Sequence, residues 1–352
     1  MKIEVDYIIV GQGLAGSLMA WFLEKNKKSF VIIDEHKGET ASIKATGLIN
    51  PITGRRFVKS WMVEELMTFA EKTYSEFEKT FDCTLFQQTK VHRILQSVEQ
   101  ENDWSAKTED SRYKYFLQNK NTIFYDNNIV NNPFGCIEIE PILKVNTPFL
   151  IHSISDYFEN KNLIQREKFD YDELKILNDK VQYKNITAKN LIFCEGHLAI
   201  HNPYFNYLPF LLSKGEVLIF ESKELKLQCI LGGNSNITPL GNDTYSIGAT
   251  YAWDDLTLIT TKEKREWLTQ KLETSINCKY KIIDQKAGIR PTVKDRRPLL
   301  GTHSVYNNLH FFNGMGTKGL SLAPYFAHHF VNVLLGKETL MQDVSIERFI
   351  PF

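Results

Sequence analysis

Residues 7–25 read YIIVGQGLAGSLMAWFLEK. The run begins with four apolar residues, as a strand buried on both faces would. It continues as Gly11-x-Gly13-x-x-Gly16 and then as an apolar pattern at helical spacing. In such a turn the first glycine bends the chain, the second lets a pyrophosphate approach the backbone, and the third lets helix pack on strand. Unpaired N–H groups at the helix start then face the phosphate. SFVIID, residues 29–34, predicts a second buried strand and completes a βαβ unit. Asp34 ends it 23 positions after Gly11 (34 − 11), with Glu35 beside it. An acidic side chain there accepts ribose hydroxyls and disfavours a 2′-phosphorylated cofactor.

The pattern recurs as Gly314-x-Gly316-x-x-Gly319 in NLHFFNGMGTKGLSLAPYFAHHF, after an apolar run and before a helical segment. Only 33 residues follow Gly319 (352 − 319), and KETLMQDVSIERFIPF contains no buried strand ending in an acid. A second complete dinucleotide site is not expected. The turn either serves packing alone or contacts the far end of the cofactor held by the first.

The chain has 352 residues, enough for two domains. Lys plus Arg balances Asp plus Glu at 42 each, which gives no electrostatic footprint for nucleic acid or an acidic membrane. Five scattered cysteines form no C-x-x-C, so zinc and dithiol chemistry are not expected; reduced thiols suit the cytoplasm. Glu4 and Asp6 precede the first apolar run, which has no basic flank or A-x-A site, so it reads as strand and not as a secretion signal. No stretch is apolar enough to predict a membrane span.

Further along, MVEELMTFAEKTYSEFEKTF (62–81) predicts an amphipathic helix. Residues 83–145 turn to short β-like runs and Asn-rich loops. FLIHSISDYFENKN predicts helix, LIQREKF strand and LIFCEG a buried strand. Residues 215–260 alternate again, KEKREWLTQKLETS predicts helix, and LHFFN leads into the last helix. Two textures alternate, so two interleaved domains are expected: 1–82, 145–214 and 280–352 in one, 83–144 and 215–279 in the other.

The order of VGQGLAG, LIFCEG, GIRPTVKDRRPLLG, NGMGTKGLSLAP and a terminal IERF resembles the D-amino-acid oxidase-like (DAO) family of FAD-dependent oxidoreductases, over nearly the whole chain. The resemblance implies an α/β fold: a split Rossmann-like FAD-binding domain with an interleaved, mainly antiparallel β-sheet substrate domain. It implies that Gly11, Gly13, Leu14, Ala15 and Gly16 meet the pyrophosphate, and that Asp34, beside Glu35, takes the adenosine ribose. Phe169 falls where the family's backbone meets adenine, and Gly196 ends the strand beneath the cofactor. Ser42, Thr46 and Gly47 fit a small-residue loop against the flavin, and Gly288 opens the late G-x-R-P segment. Gly314, Met315, Gly316, Thr317, Lys318 and Gly319 would form the turn that offers backbone donors to the flavin pyrimidine. GIRPTVKD has no cysteine, so the FAD is expected to be non-covalent. By this resemblance both glycine turns serve one FAD.

Arginine is scarce, ten against 32 lysines, and five fall in GRR (Arg55, Arg56) and GIRPTVKDRR (Arg290, Arg296, Arg297). A planar guanidinium is the group that holds a carboxylate in two places. Arg290 matches the position where amino-acid-oxidising relatives hold that carboxylate; a structural pairing with Asp295 or a carbonyl is the alternative. Arg55 and Arg56 suit either role, Arg296 and Arg297 lean structural, and Tyr251 and Trp253 suit a pocket wall or a core. His328 and His329 are expected to pack. No Ser-His-Asp or metal cluster is present. The expectation is oxidation of a C–N bond in a small amino acid or secondary amine. NPITGRR keeps a tRNA uridine-modifying flavoenzyme as an alternative, and a flavin-binding protein without turnover is another.

Overall fold

The structure is a computed structural model that describes residues 2–35, 40–54, 56–118 and 121–349. The expected βαβ unit is β1 (Ile3–Val10), α1 (Leu14–Lys25) and β2 (Phe30–Ile33). β1 pairs in parallel with β2 on one side and with strand Ile186–Phe193 on the other. Leu309–Asn313 continues the parallel sheet beyond Ile186–Phe193, an antiparallel strand Leu299–Thr302 closes that edge, and Ile164–Gln165 lies beside β2. The strand order reverses about β1, so the carboxyl ends of β1, β2 and Ile186–Phe193 open at a crevice, where such sheets bind ligands.

One face of this sheet is covered by α1, Val63–Phe81, Thr147–Glu159 and Gly319–Leu334, around Leu18, Met19, Phe77, Leu150 and Phe326, all essentially inaccessible. The other face carries an aromatic cluster that includes Tyr183, Phe193, Phe205 and Phe311.

A second sheet runs in the order Lys281–Arg290, Ser213–Glu221, Thr244–Gly248, Asn236–Gly241, Ile230–Gly232, Phe86–Ile94, Cys136–Val145, Leu48–Ile49. It is antiparallel except where Ile230–Gly232 meets Phe86–Ile94. Helix Lys262–Glu273 covers its outer face through Leu268 and Leu272. The two sheets thus draw on alternating parts of the chain.

Three elements differ from the sequence reading. Lys281–Arg290, read with the first domain, hydrogen-bonds along Ser213–Glu221 in the second sheet, with Gly215 opposite Gly288. Val98–Glu109 is a helix within the stretch read as strands and loops. Its Ser97 cap accepts from the Gln100 N–H, but it buries only Trp104 and Thr108, too thin a stripe to show as periodicity. LIQREKF yields a strand of two residues, because Arg166 turns away to Gln12, Ser155 and Glu159.

Candidate functional site

A cavity of about 1740 Å³ lies between the carboxyl ends of the first sheet's strands and the inner face of the second sheet. Gly11, Gly13, Leu14 and Ala15 line one end. Gly11 has φ +95°, and a Cβ on it would sit 2.7 Å from the Cys194 carbonyl oxygen. Gly16 is outside the lining and closes the turn, since a Cβ there would overlap the Gly11 carbonyl oxygen at 1.8 Å. Gly13 differs: the nearest atom to its Cβ position would be Ser42 Oγ at 3.8 Å, so its approach is open. Among the described residues the N–H groups of Gly13 and Ala15 have no protein acceptor, as expected at a helix start. The Leu14 N–H donates to Ser42 Oγ at 3.2 Å.

Asp34 accepts the Gln12 N–H at 2.8 Å and lies 3.7 Å from the Arg166 guanidinium, so it braces the turn while it lines the cavity. Glu35 is exposed at the mouth. Phe169 is stacked on Tyr183 with centroids 4.5 Å apart and lines the same end. Glu195, just before Gly196, accepts from Tyr171 Oη and, at 2.7 Å, from Asn202 Nδ2. Burial nevertheless pushes its carboxyl up to about 7, against the pull of those two donors. Glu195, Gly196 and the adjoining His197 all line the cavity.

The second glycine turn lines this same cavity through Met315, Gly316, Thr317, Lys318 and Gly319. Gly314 and Gly316 have positive φ, 76° and 54°. Gly314 is not in the lining; its Cβ position lies 3.0 Å from Leu299 and Val293 side chains, so its role is packing. Asn313 ties the turn to the first sheet by donating to the Gly196 carbonyl at 2.9 Å. A Cβ on Gly319 would meet Leu14 at 3.3 Å, so the two glycine turns set two helix N-termini side by side facing one space. Lys318 donates to Ser60 Oγ at 2.8 Å, and burial, with Arg296 and Arg297 nearby, lowers its pKa.

Thr46, Gly47 and Ser42 lie on the loop that covers the cavity between the two turns. Gly47, at φ +83°, approaches the backbone of Val145 so closely that a Cβ would lie 2.0 Å from its carbonyl oxygen. Gly288 faces Lys44 of this loop across the cavity wall.

Arg290 lines the second-sheet side. Its guanidinium donates to the Thr250 carbonyl at 3.2 Å and lies over the Tyr251 ring, 4.6 Å from the centroid. It also rests on Gly215, where a Cβ would fall 2.0 Å from Nη2. Burial lowers its pKa, and among the described residues no carboxylate forms an ion pair with it. Of the two structural partners considered, Asp295 is held by Arg348 at 2.9 Å, whereas a carbonyl, that of Thr250, does accept from Arg290. Tyr251 is 53% exposed and stacks with Trp253, so neither is core. Arg297 lies over the Trp61 ring at 3.8 Å, and Arg56 and Arg296 are exposed. Arg55 lies outside the described residues. His329 packs as expected, paired with Glu338 at 2.6 Å.

Sequence reasoning passed over Gly215, Arg93 and Glu195. Only pairing across the sheet sets Gly215 under Arg290, and no local motif marks the other two. Among the described residues no group of His, Cys, Asp and Glu could hold a metal ion, and no helix is long and apolar enough to cross a membrane.

The cavity fits an extended dinucleotide. It has an open approach at Gly13, free N–H groups at one helix start, a carboxylate at Asp34, and a second helix start beside the first. The family model of the DAO FAD-dependent oxidoreductases matches residues 162–333. An uncharacterized oxidoreductase of Bacillus subtilis, YurR, is 20% identical over 95% of this chain and 96% of its own. Among solved structures, the glycine oxidase of Geobacillus kaustophilus superposes with a TM-score of 0.80 at 17% identity, over 99% of this chain and 100% of that one. The glycine oxidase of Bacillus cereus gives 0.78 at 18%, over 95% and 96%. The iminodiacetate oxidase of Chelativorans sp. BNC1 gives 0.76 at 16%, over 98% of both chains. At these identities the likeness to the solved structures is one of fold: mixed α/β, with a Rossmann-like dinucleotide-binding half.

Proposed function

We propose that this chain, a DAO-family FAD-dependent oxidoreductase, oxidises a C–N bond in a small amino acid or secondary amine. The observation that carries the reading is Arg290: a half-buried guanidinium without a carboxylate partner among the described residues, facing the cavity that both glycine turns line. FAD, when bound, supplies the acceptor for a hydride from the carbon next to nitrogen, leaving an imine that water hydrolyses.

The chain's own residues supply position and environment. Gly11, Gly13, Leu14, Ala15 and Gly16 are assigned to the pyrophosphate and Asp34 and Glu35 to the ribose. Phe169 and Gly196 are assigned to the adenosine side. Ser42, Thr46, Gly47, Gly288 and the turn 314–319 are assigned to the flavin side. Arg290 holds the substrate carboxylate through two parallel donors. Tyr251 and Gly215 both lie against that guanidinium. Among the described residues the second-sheet wall lines the cavity with no carboxylate or histidine. The domain division follows the two sheets, with 48–49, 213–214 and 281–290 moved to the substrate domain. The five free cysteines suit a cytoplasmic setting, and the FAD is held without a covalent bond.

The test is anaerobic mixing of the FAD-loaded protein with a panel of amino acids and secondary amines, following loss of flavin colour. At least one amine should bleach it. NADH and NADPH should do so poorly, because both glycine turns serve one cavity. Faster bleaching by a nicotinamide than by any amine rejects the reading. FAD retained after acid denaturation rejects non-covalent binding.

A further inference from the structure

The carboxylates that line the cavity are segregated, whereas its cations are not: Lys44, Lys168, Lys184 and Lys318 line it away from the second sheet. Its carboxylates are Asp34, Glu35, Glu167, Asp170, Asp172 and Glu195, all on the segments at the ends of the first sheet. The second-sheet wall contributes Arg93, Lys286 and Arg290, all cationic. One of these arginines is accounted for by a substrate carboxylate. Arg93 is left over.

Arg93 is built like Arg290. It sits on strand Phe86–Ile94, half-buried, with its guanidinium 4.7 Å from the centroid of the Phe57 ring. Arg290 has Tyr251 at 4.6 Å. Phe57 is itself fully buried against Trp104, so the platform under Arg93 is rigid. The Arg93 guanidinium makes no ion pair with a described carboxylate and no hydrogen bond to a described residue. A partly desolvated guanidinium with its donors free costs stability unless an anion completes it. A cation held flat on an aromatic ring and aimed at a ligand cavity is suited to receive a planar carboxylate.

The two arginines are far apart. From Lys281–Arg290 to Phe86–Ile94 the sheet order takes five steps. At roughly 4.8 Å per step the backbones are separated by on the order of 24 Å along the sheet. Sheet curvature and the inward reach of two long side chains shorten this at the guanidinium ends.

We propose that the substrate is an extended amino or imino acid with a second carboxylate at its far end, and that Arg93 is the specificity-determining residue that binds it. The proposal rests on the amine-oxidising reading for the reacting end. It adds what stands at the other.

Binding can be read without turnover. Unbranched dicarboxylates from malonate to suberate are titrated into the FAD-loaded protein, with monocarboxylates of equal length alongside, following the visible spectrum of the flavin. The long dicarboxylates should bind at least about 10-fold more tightly than their monocarboxylate counterparts. Arg93→Gln should remove that preference while leaving monocarboxylate binding and FAD content unchanged, and Arg93→Lys should restore part of it. Arg290→Lys should weaken both series. Equal affinity for mono- and dicarboxylates, or a preference that survives Arg93→Gln, overturns the proposal. The amine panel separates the two readings. Bleaching by amino acids without a dicarboxylate preference keeps the activity and rejects the Arg93 role. A preference lost in Arg93→Gln with no amine active keeps the anion site and rejects the amine.

Discussion

The two ends of the cavity are made in different ways. The end at the first glycine turn is built around one stretch within the first 34 residues, with Phe169 and Glu195 beside it, and it presents backbone N–H groups and a carboxylate. The end at the second sheet is assembled from strands far apart in sequence, and it meets its ligand with guanidinium groups laid on aromatic rings. The first end recognises what every member of a cofactor class shares. The second distinguishes one substrate from another, and it can change without disturbing the first. Substitutions at the two ends should therefore fail in different ways.

The largest effects belong to the first end, where two glycines three positions apart should part company. Gly16 cannot take a side chain, because its Cβ would lie 1.8 Å from the Gly11 carbonyl oxygen. Gly16→Val should cost more than the roughly 1–3 kcal/mol of ordinary overpacking, since backbone must move, and should leave little folded protein. Gly13→Val has an ordinary φ of −71° and faces open cavity. It should fold and lose FAD, because the side chain occupies the pyrophosphate's approach. Thermal melts and the visible spectrum of the two variants decide the matter. Gly13→Val protein that keeps its FAD would remove the pyrophosphate from this turn.

Next in size is the second end. Arg290→Lys and Arg290→Ala should keep FAD and fold but lose roughly 2–5 kcal/mol of productive binding, on the order of 30-fold or more in flavin reduction by an amino acid. Lysine fails here because an ammonium cannot reproduce the planar fork. Gly215→Ala sharpens the point. Its Cβ would fall 2.0 Å from Arg290 Nη2, so the guanidinium must leave its seat although Arg290 itself is intact. A smaller loss in the same direction is expected from that variant. Unchanged rates in FAD-replete Arg290 variants would move the carboxylate elsewhere on the wall.

The same division sets what could be read from the sequence. The βαβ unit, its glycines and Asp34 were legible because each role follows from a neighbour a few residues away. The second glycine turn was legible as a turn, but its sharing of one cavity appears only where Gly319 meets Leu14, across 305 positions (319 − 14). Lys281–Arg290 was read with the segments of the first sheet, whereas it pairs with Ser213–Glu221, a partner that no local pattern announces. Arg93 lies in VHRIL, part of a run read as β-like but given no role. What makes it a site is Phe57, which no periodicity connects to it. Arg290 was found through a family pattern, yet Tyr251 and Gly215, which lie against it, were open or unseen.

The smallest expected effect returns to the first end and concerns Glu195. Burial holds its carboxyl near pH 7, well above the ordinary 4.5, although Tyr171 and Asn202 both donate to it. His197 follows it on the same turn, and burial lowers the His197 pKa. A carboxyl whose pKa rises on folding binds more protons in the folded state. Its contribution to stability is complete below pH 4.5 and is lost as pH rises through about 7. The carboxylates held low by donors, Asp6, Asp110 and Asp255, near 2, lose their contributions only in strong acid, outside this window. His92 falls within it: burial pushes its ring down, but Cys229 and Glu138 raise it further, so it too gives up stability as pH rises. The measurement is therefore a difference. Melting temperatures of wild type and Glu195→Gln are compared from pH 5 to pH 8. Wild type should fall more steeply, by about a few degrees over the range, and the variant should keep only the slope due to the remaining groups. Parallel curves would mean that Glu195 is ionised in the folded protein, and the first end would then present its ligand with one more negative charge than is drawn here.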